Sequence, residues 1–205
     1  KDVVIQDLPF ALKLGQRIKA SGAAFLLDLH YSDTWADPSH QSKPAAWTNL
    51  TFTALEKQVE TYTSAVLKTF KDARCLPEIV QVGNEITPGF LWPDGKISSP
   101  KGGWDKFALL LKAGIRGVKK PLGAGDRVKI MIHIDRGGDA AATRWFFDNL
   151  TKQNVPYDMI GLSFYPWWHG GMDKLRENLN QTAQRFGKEI VVVETAYPWR
   201  PHGEA

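Results

Sequence analysis

Short apolar runs alternate with longer amphipathic segments along this chain, and this alternation constrains the fold more than any other feature. The runs have the length of strands and many β-branched residues, which favours buried strands. Five are predicted, at residues 24–31, 79–84, 128–134, 159–164 and 190–193. Apolar residues at three- and four-residue steps predict five helices, at residues 8–21, 55–70, 107–115, 140–150 and 175–186. Because strands separated by helices pair in parallel, the pattern predicts an α/β protein with a parallel sheet.

The connections differ in length at the two ends of the predicted strands. The loops after the first two strands extend to about residue 48 and to residue 103, whereas the loops before strands are short. Long loops at one end indicate a TIM (β/α)8 barrel whose site lies at the carboxyl ends of the strands. A doubly wound sheet is the alternative, but no glycine-rich phosphate-binding turn follows any strand. We interpret residues 1–205 as one domain.

Composition narrows the class of partner. The 26 basic and 22 acidic residues are scattered rather than clustered, so the net charge of +4 predicts no nucleic-acid binding. No apolar stretch reaches the roughly 18 residues of a membrane span, and no signal-peptide pattern begins at Lys1. Cys75 is the single cysteine, which excludes an internal disulfide and a cysteine-based zinc site.

Polar side chains stand at the end of every predicted strand. In a barrel these ends meet at one mouth, so the groups are expected to lie close together. One such residue would be unremarkable, but ionisable or polar residues at all five ends are difficult to explain by packing. They are Asp28 and His30, Asn84 and Glu85, His133 and Asp135, Ser163 and Tyr165, and Glu194.

Three chemistries could use these residues. A metal hydrolase would draw on Asp28, His30, His133 and Asp135, but no familiar close ligand spacing occurs. A serine or cysteine nucleophile has no supporting motif. A pair of carboxylates fits best.

In glycoside hydrolysis, one carboxyl group donates a proton and the other attacks or activates water. Glu85, preceded by Asn84, would be the proton donor, and Glu194 would attack the anomeric carbon with Tyr165 orienting it. The alternative for either glutamate alone is a salt-bridged strand end.

Eight tryptophans in 205 residues add a second indication of carbohydrate binding. Indole rings stack on the flat C–H faces of sugars, although a single tryptophan is more often part of the packing. Six lie in predicted loops, beside or near proline or glycine: Trp35, Trp47, Trp92, Trp167, Trp168 and Trp199.

Several strings resemble glycoside hydrolase family 53, the endo-β-1,4-galactanases. They are LLDLHYSDTWADPSHQSKPAAW, PEIVQVGNEITPGFLWPDG, IMIHID, IGLSFYPWWHG and VVVETAYPW, and they extend from about residue 10 to residue 200. The resemblance implies a (β/α)8 barrel of clan A that retains anomeric configuration. It implies Glu85 as acid/base at the end of barrel strand four and Glu194 as nucleophile at the end of strand seven. The implied cleft-lining residues are His30, Asp33, Trp35, Asn84, Trp92, His133, Asp135, Tyr165 and Trp199.

The resemblance also implies that this chain is an internal fragment covering about strands three to seven, an incomplete barrel. No cofactor is expected, although a structural calcium occurs in some family members near the last loops, a region that this chain lacks. The expected protein is an extracellular monomer that acts on β-1,4-galactan, the side chain of pectin. The rivals are another clan A endoglycanase, for a mannan or β-glucan, and a truncated, non-catalytic carbohydrate-binding protein.

Overall fold

The computed structural model describes residues 5–197, which form a five-stranded parallel sheet with helices on one side. The strand order is β1-β2-β3-β4-β5, so each strand pairs with its neighbours in sequence. The strands are β1 Leu26–Leu29, β2 Ile79–Val82, β3 Lys129–Ile134, β4 Met159–Phe164 and β5 Glu189–Thr195. The helices are α1 Leu8–Ala20, α2 Phe52–Asp72, α3 Trp104–Lys119, α4 Ala140–Lys152, α5 Pro166–His169 and α6 Met172–Phe186, with a 3-10 turn at Ala45–Trp47.

The incomplete (β/α)8 barrel predicted from the sequence is therefore confirmed. The first strand is shorter than predicted and the last is longer, and the short helix α5 was not expected. Among the described residues, no helix combines the length and the apolarity that crossing a bilayer requires.

Side-chain caps fix where several helices begin. The carboxylate of Asp7 accepts a hydrogen bond from the Phe10 N–H at 3.0 Å. Asp139 caps α4 in the same way, accepting from the Ala142 N–H at 2.9 Å. Such caps satisfy amide groups that have no partner within the helix, typically contributing about 1 kcal/mol each.

Successive side chains of each strand point to opposite faces of the sheet, and the two faces differ in what they contact. On β4, Ile160 and Leu162 are fully buried and belong to the core between the sheet and the helices. The intervening positions, Met159, Gly161 and Ser163, point to the opposite side, which is the inside of the barrel. Pairing carries this division across the sheet, since Ile160 lies beside Ile132 and Gly161 beside His133.

One register irregularity interrupts the alternation, between β4 and β5. Leu162 pairs with Val192, but Ser163 pairs with Glu194, so β5 holds one extra residue, Val193. If β5 alternated regularly with Val193 in place, Glu194 would share the outward side with Val192 and would point toward the helices. This β-bulge turns the Glu194 side chain into the barrel.

The two outer strands leave the sheet open at both sides of the described residues. β1 pairs with β2 alone and β5 with β4 alone, and the middle of β5 is only half-buried, whereas all of β4 is buried. Unpaired strand edges with apolar side chains are templates for association.

We therefore expect the 205-residue chain, made alone, to be marginally stable and prone to aggregate, with little or no enzymatic turnover. Size-exclusion chromatography at several concentrations, together with urea unfolding, measures this. As a matched variant, Val191→Lys places a charge on the inward face of the β5 edge and is expected to reduce aggregation without restoring stability. A monomer that unfolds cooperatively with normal turnover would contradict the expectation.

Candidate active site

The two carboxyl groups singled out in the sequence meet inside the barrel. Glu85 follows β2 and Glu194 lies near the end of β5. One oxygen of each, with a ring nitrogen of His133, lies within 4.8 Å of the others. Inverting glycosidases separate their carboxyl groups by roughly 6.5–9.5 Å, and retaining ones by about 5–5.5 Å. The close approach of these atoms resembles the retaining arrangement more than the inverting one.

The backbone at Glu85 adopts a conformation that few residues with side chains take. Its φ angle is 50°, in the left-handed region, and Gly83 two residues earlier has a φ of 86°. The Gln41 side-chain amide donates to the Asn84 carbonyl at 2.7 Å, and the Ile86 N–H donates to the His133 carbonyl at 3.1 Å. Such strain persists only where the surroundings hold it, and it is common at active sites.

Burial is the main influence on the protonation of Glu85. The residue is 8% exposed, and this burial raises the pKa of its carboxyl group to about 7. A hydrogen bond donated by the Ser163 hydroxyl would lower the pKa, whereas the charges of Glu194 and Asp135 raise it further. Glu85 is therefore suited to carry a proton near neutral pH, as a general acid requires.

Glu194 has a more open environment. Its side chain is 34% exposed, and its Oε2 accepts a hydrogen bond from the Tyr165 phenol at 2.9 Å. Burial and the adjacent Glu194 raise the pKa of Tyr165 to about 12, so the phenol stays protonated and acts as the donor. His169 holds the backbone of Tyr165, because its Nδ1 accepts the Tyr165 N–H at 2.9 Å.

A buried polar network lies under both carboxyl groups. His133 is fully buried, and its Nδ1 lies 3.0 Å from Asn84 Oδ1 while its Nε2 lies 2.8 Å from Ser163 Oγ. Ser163 Oγ also lies 2.6 Å from Glu85 Oε1. Burial, with a smaller contribution from His30, lowers the pKa of His133 to about 3, so this imidazole is neutral.

The side chains that could bind a metal ion already have other hydrogen-bond partners. Glu85, His133 and Glu194 are close enough for their ligand atoms to share an ion, but both ring nitrogens of His133 are already in hydrogen bonds. The four residues considered for a metal hydrolase do not form one group of ligand atoms among the described residues. His30 bonds to Asp28 at 3.1 Å, and Asp135 accepts a hydrogen bond from the Thr87 hydroxyl at 2.5 Å.

The other predicted cleft residues lie in the surrounding loops. His30 Nδ1 accepts from the Ala36 N–H at 2.9 Å, and Asp33 accepts from the Ala45 N–H at 2.7 Å, so both brace the loop after β1. Trp92 is half-buried, with the Lys96 ammonium 4.0 Å from its ring centre. Trp35 is 80% exposed. Trp199 lies outside the described residues.

Sequence reasoning gave several residues that shape the site no role in it. Ser163 was recognised as a polar residue at the end of an apolar strand, but no function was predicted for it. Gln41 and His169 lie in segments with no periodic pattern, and Gln81 is a polar residue within the apolar run of β2 that was not singled out. Gln81 donates to Asn84 Oδ1 at 3.1 Å.

Comparisons with known proteins identify similar sequences and a similar solved structure. A protein of Niallia circulans, described as an uncharacterized protein in the bgaB 5' region, is 51% identical over 197 residues, 94% of this chain and 53% of the relative. A probable arabinogalactan endo-beta-1,4-galactanase A of Aspergillus terreus is 40% identical over 94% of this chain and 56% of its own length. The solved GH53 catalytic domain of Ignisphaera aggregans superposes with a TM-score of 0.88 at 44% identity, covering 95% of this chain and 52% of that one.

The chain thus spans about half the length of the curated relatives that it matches. The sequence profile of glycosyl hydrolase family 53 matches residues 3–205. Together with the half-barrel and its paired carboxyl groups, this match shows that the chain belongs to glycosyl hydrolase family 53.

Proposed function

We propose that the complete protein containing this chain hydrolyses β-1,4-galactan within the polymer, with retention of anomeric configuration. One observation carries the proposal: two carboxyl groups approach within 4.8 Å in unlike surroundings, one buried and one held by a phenol. Environments that separate two carboxyl groups in this way assign them the acid and nucleophile roles.

The reaction proceeds in two displacements. Glu194 attacks the anomeric carbon and the glycosidic C–O bond breaks, while Glu85 transfers its proton to the leaving oxygen. Glu85, now ionised, removes a proton from a water molecule whose oxygen attacks the same carbon. The bond to Glu194 then breaks, and both carboxyl groups return to their starting states.

Two kinds of observation support a galactan substrate. Relatives sharing about 40% identity carry the name arabinogalactan endo-beta-1,4-galactanase. Exposed aromatic side chains in the segments that follow the carboxyl ends of the strands supply surfaces on which sugar rings stack, and they include Trp35 at 80% exposure and Trp168, in α5, at 73%. Since such a polymer does not cross membranes, we propose that the protein acts outside the cell, as a monomer degrading the side chains of pectin.

The test is release of reducing ends by the complete protein from galactan, mannan and β-glucan in parallel. Preference for galactan, with fragments of several lengths appearing early, is the expected result. Preference for mannan or β-glucan supports another clan A endoglycanase, and binding without release supports a carbohydrate-binding protein.

Alanine substitutions separate the roles of the two glutamates. Glu194→Ala should reduce galactan hydrolysis by at least about 10⁴-fold, because no nucleophile remains. Added azide should restore turnover and give a glycosyl azide of inverted configuration. Glu85→Ala should spare substrates with good leaving groups, which need no proton. Glu60→Gln, on the surface of α2, is the control and should leave activity unchanged. Normal galactan hydrolysis by either alanine variant refutes the assignment.

The acid role of Glu85 should be visible as a cost in stability. Its pKa rises on folding from 4.5 to about 7, so the contribution of this carboxyl group to stability declines as pH rises through that interval. Glu85→Gln should therefore stabilise the complete protein at pH 8, by about 1–2 kcal/mol after allowance for solvent screening, with no gain near pH 4.5.

Thermal unfolding at the two pH values measures this difference. Glu60→Gln is again the matched variant. Arg116 lowers the pKa of Glu60, so removing the Glu60 carboxylate should destabilise the protein at pH 8 instead. An equal effect of Glu85→Gln at both pH values would show that the carboxyl group does not titrate in this interval.

A further inference from the structure

The Ser163 hydroxyl stands between two groups that compete for its proton. Its oxygen lies 2.8 Å from His133 Nε2 and 2.6 Å from Glu85 Oε1. A hydroxyl group has one hydrogen to donate, so Ser163 can donate to one of these neighbours and must accept from the other. The direction of this pair of hydrogen bonds decides where the proton of Glu85 is held.

Asn84 fixes one end of the network. Its Nδ2 donates to the Ala36 carbonyl at 2.8 Å, so its Oδ1 must point the other way. The Gln81 side-chain amide donates to that oxygen at 3.1 Å, which supports the same orientation. Asn84 Oδ1 therefore faces His133 Nδ1 at 3.0 Å as an acceptor, and a hydrogen atom on Nδ1 is needed to complete the bond.

A competing contact favours the opposite tautomer. The Glu85 backbone N–H lies 3.4 Å from His133 Nδ1 and would require a lone pair there. That contact is longer by 0.4 Å than the one to Asn84, and satisfying it would set the Nδ1 lone pair against Asn84 Oδ1 at 3.0 Å. The shorter contact to Asn84 places the hydrogen on Nδ1.

The rest of the network follows from this tautomer. A neutral imidazole with its hydrogen on Nδ1 has a lone pair on Nε2, which accepts the Ser163 hydroxyl hydrogen. Ser163 Oγ then presents a lone pair to Glu85 Oε1 at 2.6 Å. Two oxygen atoms at this distance need a hydrogen between them, and the remaining source is a protonated Glu85.

We propose that Ser163 and His133 are positioning residues that hold the proton on Glu85 Oε1, through a directed chain from Glu85 to Ser163 to His133 to Asn84. This inference deepens the proposed function and rests on it. After Glu85 transfers its proton to the leaving oxygen, Ser163 can turn its hydroxyl to the new carboxylate. His133 Nε2 then loses its donor, so the network favours return of the proton to Glu85 in the second displacement.

Several other ionisable groups surround Glu85 and contribute to its titration. They come from each of the strands or loops that line the site: Glu194, Asp135, Asp37, His30, His133 and Tyr165. These groups stay in place when Ser163 is substituted, so a change in the pH profile of a Ser163 variant reports on the hydroxyl.

The sign of the change in the pH profile tests the direction of the hydrogen bonds from Glu85 to Asn84. The fall of kcat/KM at high pH reports the pKa of the general acid in the free enzyme. In the complete protein, Ser163→Ala removes the acceptor of the Glu85 proton, so this fall should move to lower pH by roughly 0.5–1 unit. If Ser163 instead donates to an ionised Glu85, the fall moves to higher pH, and a movement to higher pH or none overturns the proposal.

Thr182→Val is the matched control, since Thr182 is a buried hydroxyl that bonds to Asn178 away from the site. Thr182→Val should leave the pH profile unchanged, because a general loss of stability does not shift the pH at which kcat/KM falls.

A second measurement needs no variant that must fold. Nitrogen-15 NMR of histidine-labelled complete protein reports which ring nitrogen of His133 carries hydrogen, and we expect Nδ1. Hydrogen on Nε2 overturns the proposal. If the complete protein does not cleave galactan, the proposed function fails. The tautomer of His133 still tests the proposed hydrogen-bond directions independently.

Discussion

The alternation of side chains along parallel strands governs both the stability of this fold and the composition of its site. Outward positions such as Val80, Ile132 and Leu162 fill the layer between the sheet and the helices. Inward positions receive none of that apolar packing, and near the strand ends they carry Gln81, His133 and Ser163 instead. Because the strands run in one direction and in sequence order, these polar ends collect at one mouth. The fold therefore gathers residues far apart in sequence without any local motif that joins them.

The two glutamates show how surroundings give chemically identical groups different properties. Glu85 is held in a left-handed backbone conformation and buried among polar partners, which favours its neutral form. Glu194 lies on a half-buried strand and accepts a hydrogen bond from a phenol that keeps its proton. The position of Tyr165 depends in turn on a close contact between Gly138 and α5. A Cβ atom on Gly138 would lie 1.9 Å from the His169 carbonyl oxygen, so only glycine fits there. That close approach fixes α5, and with it the residue that holds Tyr165.

Much of this arrangement is predictable from the sequence, and the rest depends on contacts that a linear pattern does not contain. The five strands are visible as short apolar runs. The two glutamates are visible because each follows one of these runs. Gln41 and His169 are not, since their importance lies in bonds to Asn84 and Tyr165 made across loops. Strict alternation along β5 would even direct Glu194 toward the helices, and the irregularity at Val193 that corrects this has no signal in the residue types.

That irregularity makes the length of β5 a stricter requirement than its composition. Exchanging one aliphatic residue for another between Ile190 and Glu194 changes a packing contact, whereas one added residue in regular alternation reverses the side on which the carboxyl group emerges. Evolution can therefore vary this segment by substitution far more freely than by insertion. A designer who grafts the strand onto another barrel must keep the bulge wherever Val193 is kept, because the same residues in a regular strand would point Glu194 toward the helices.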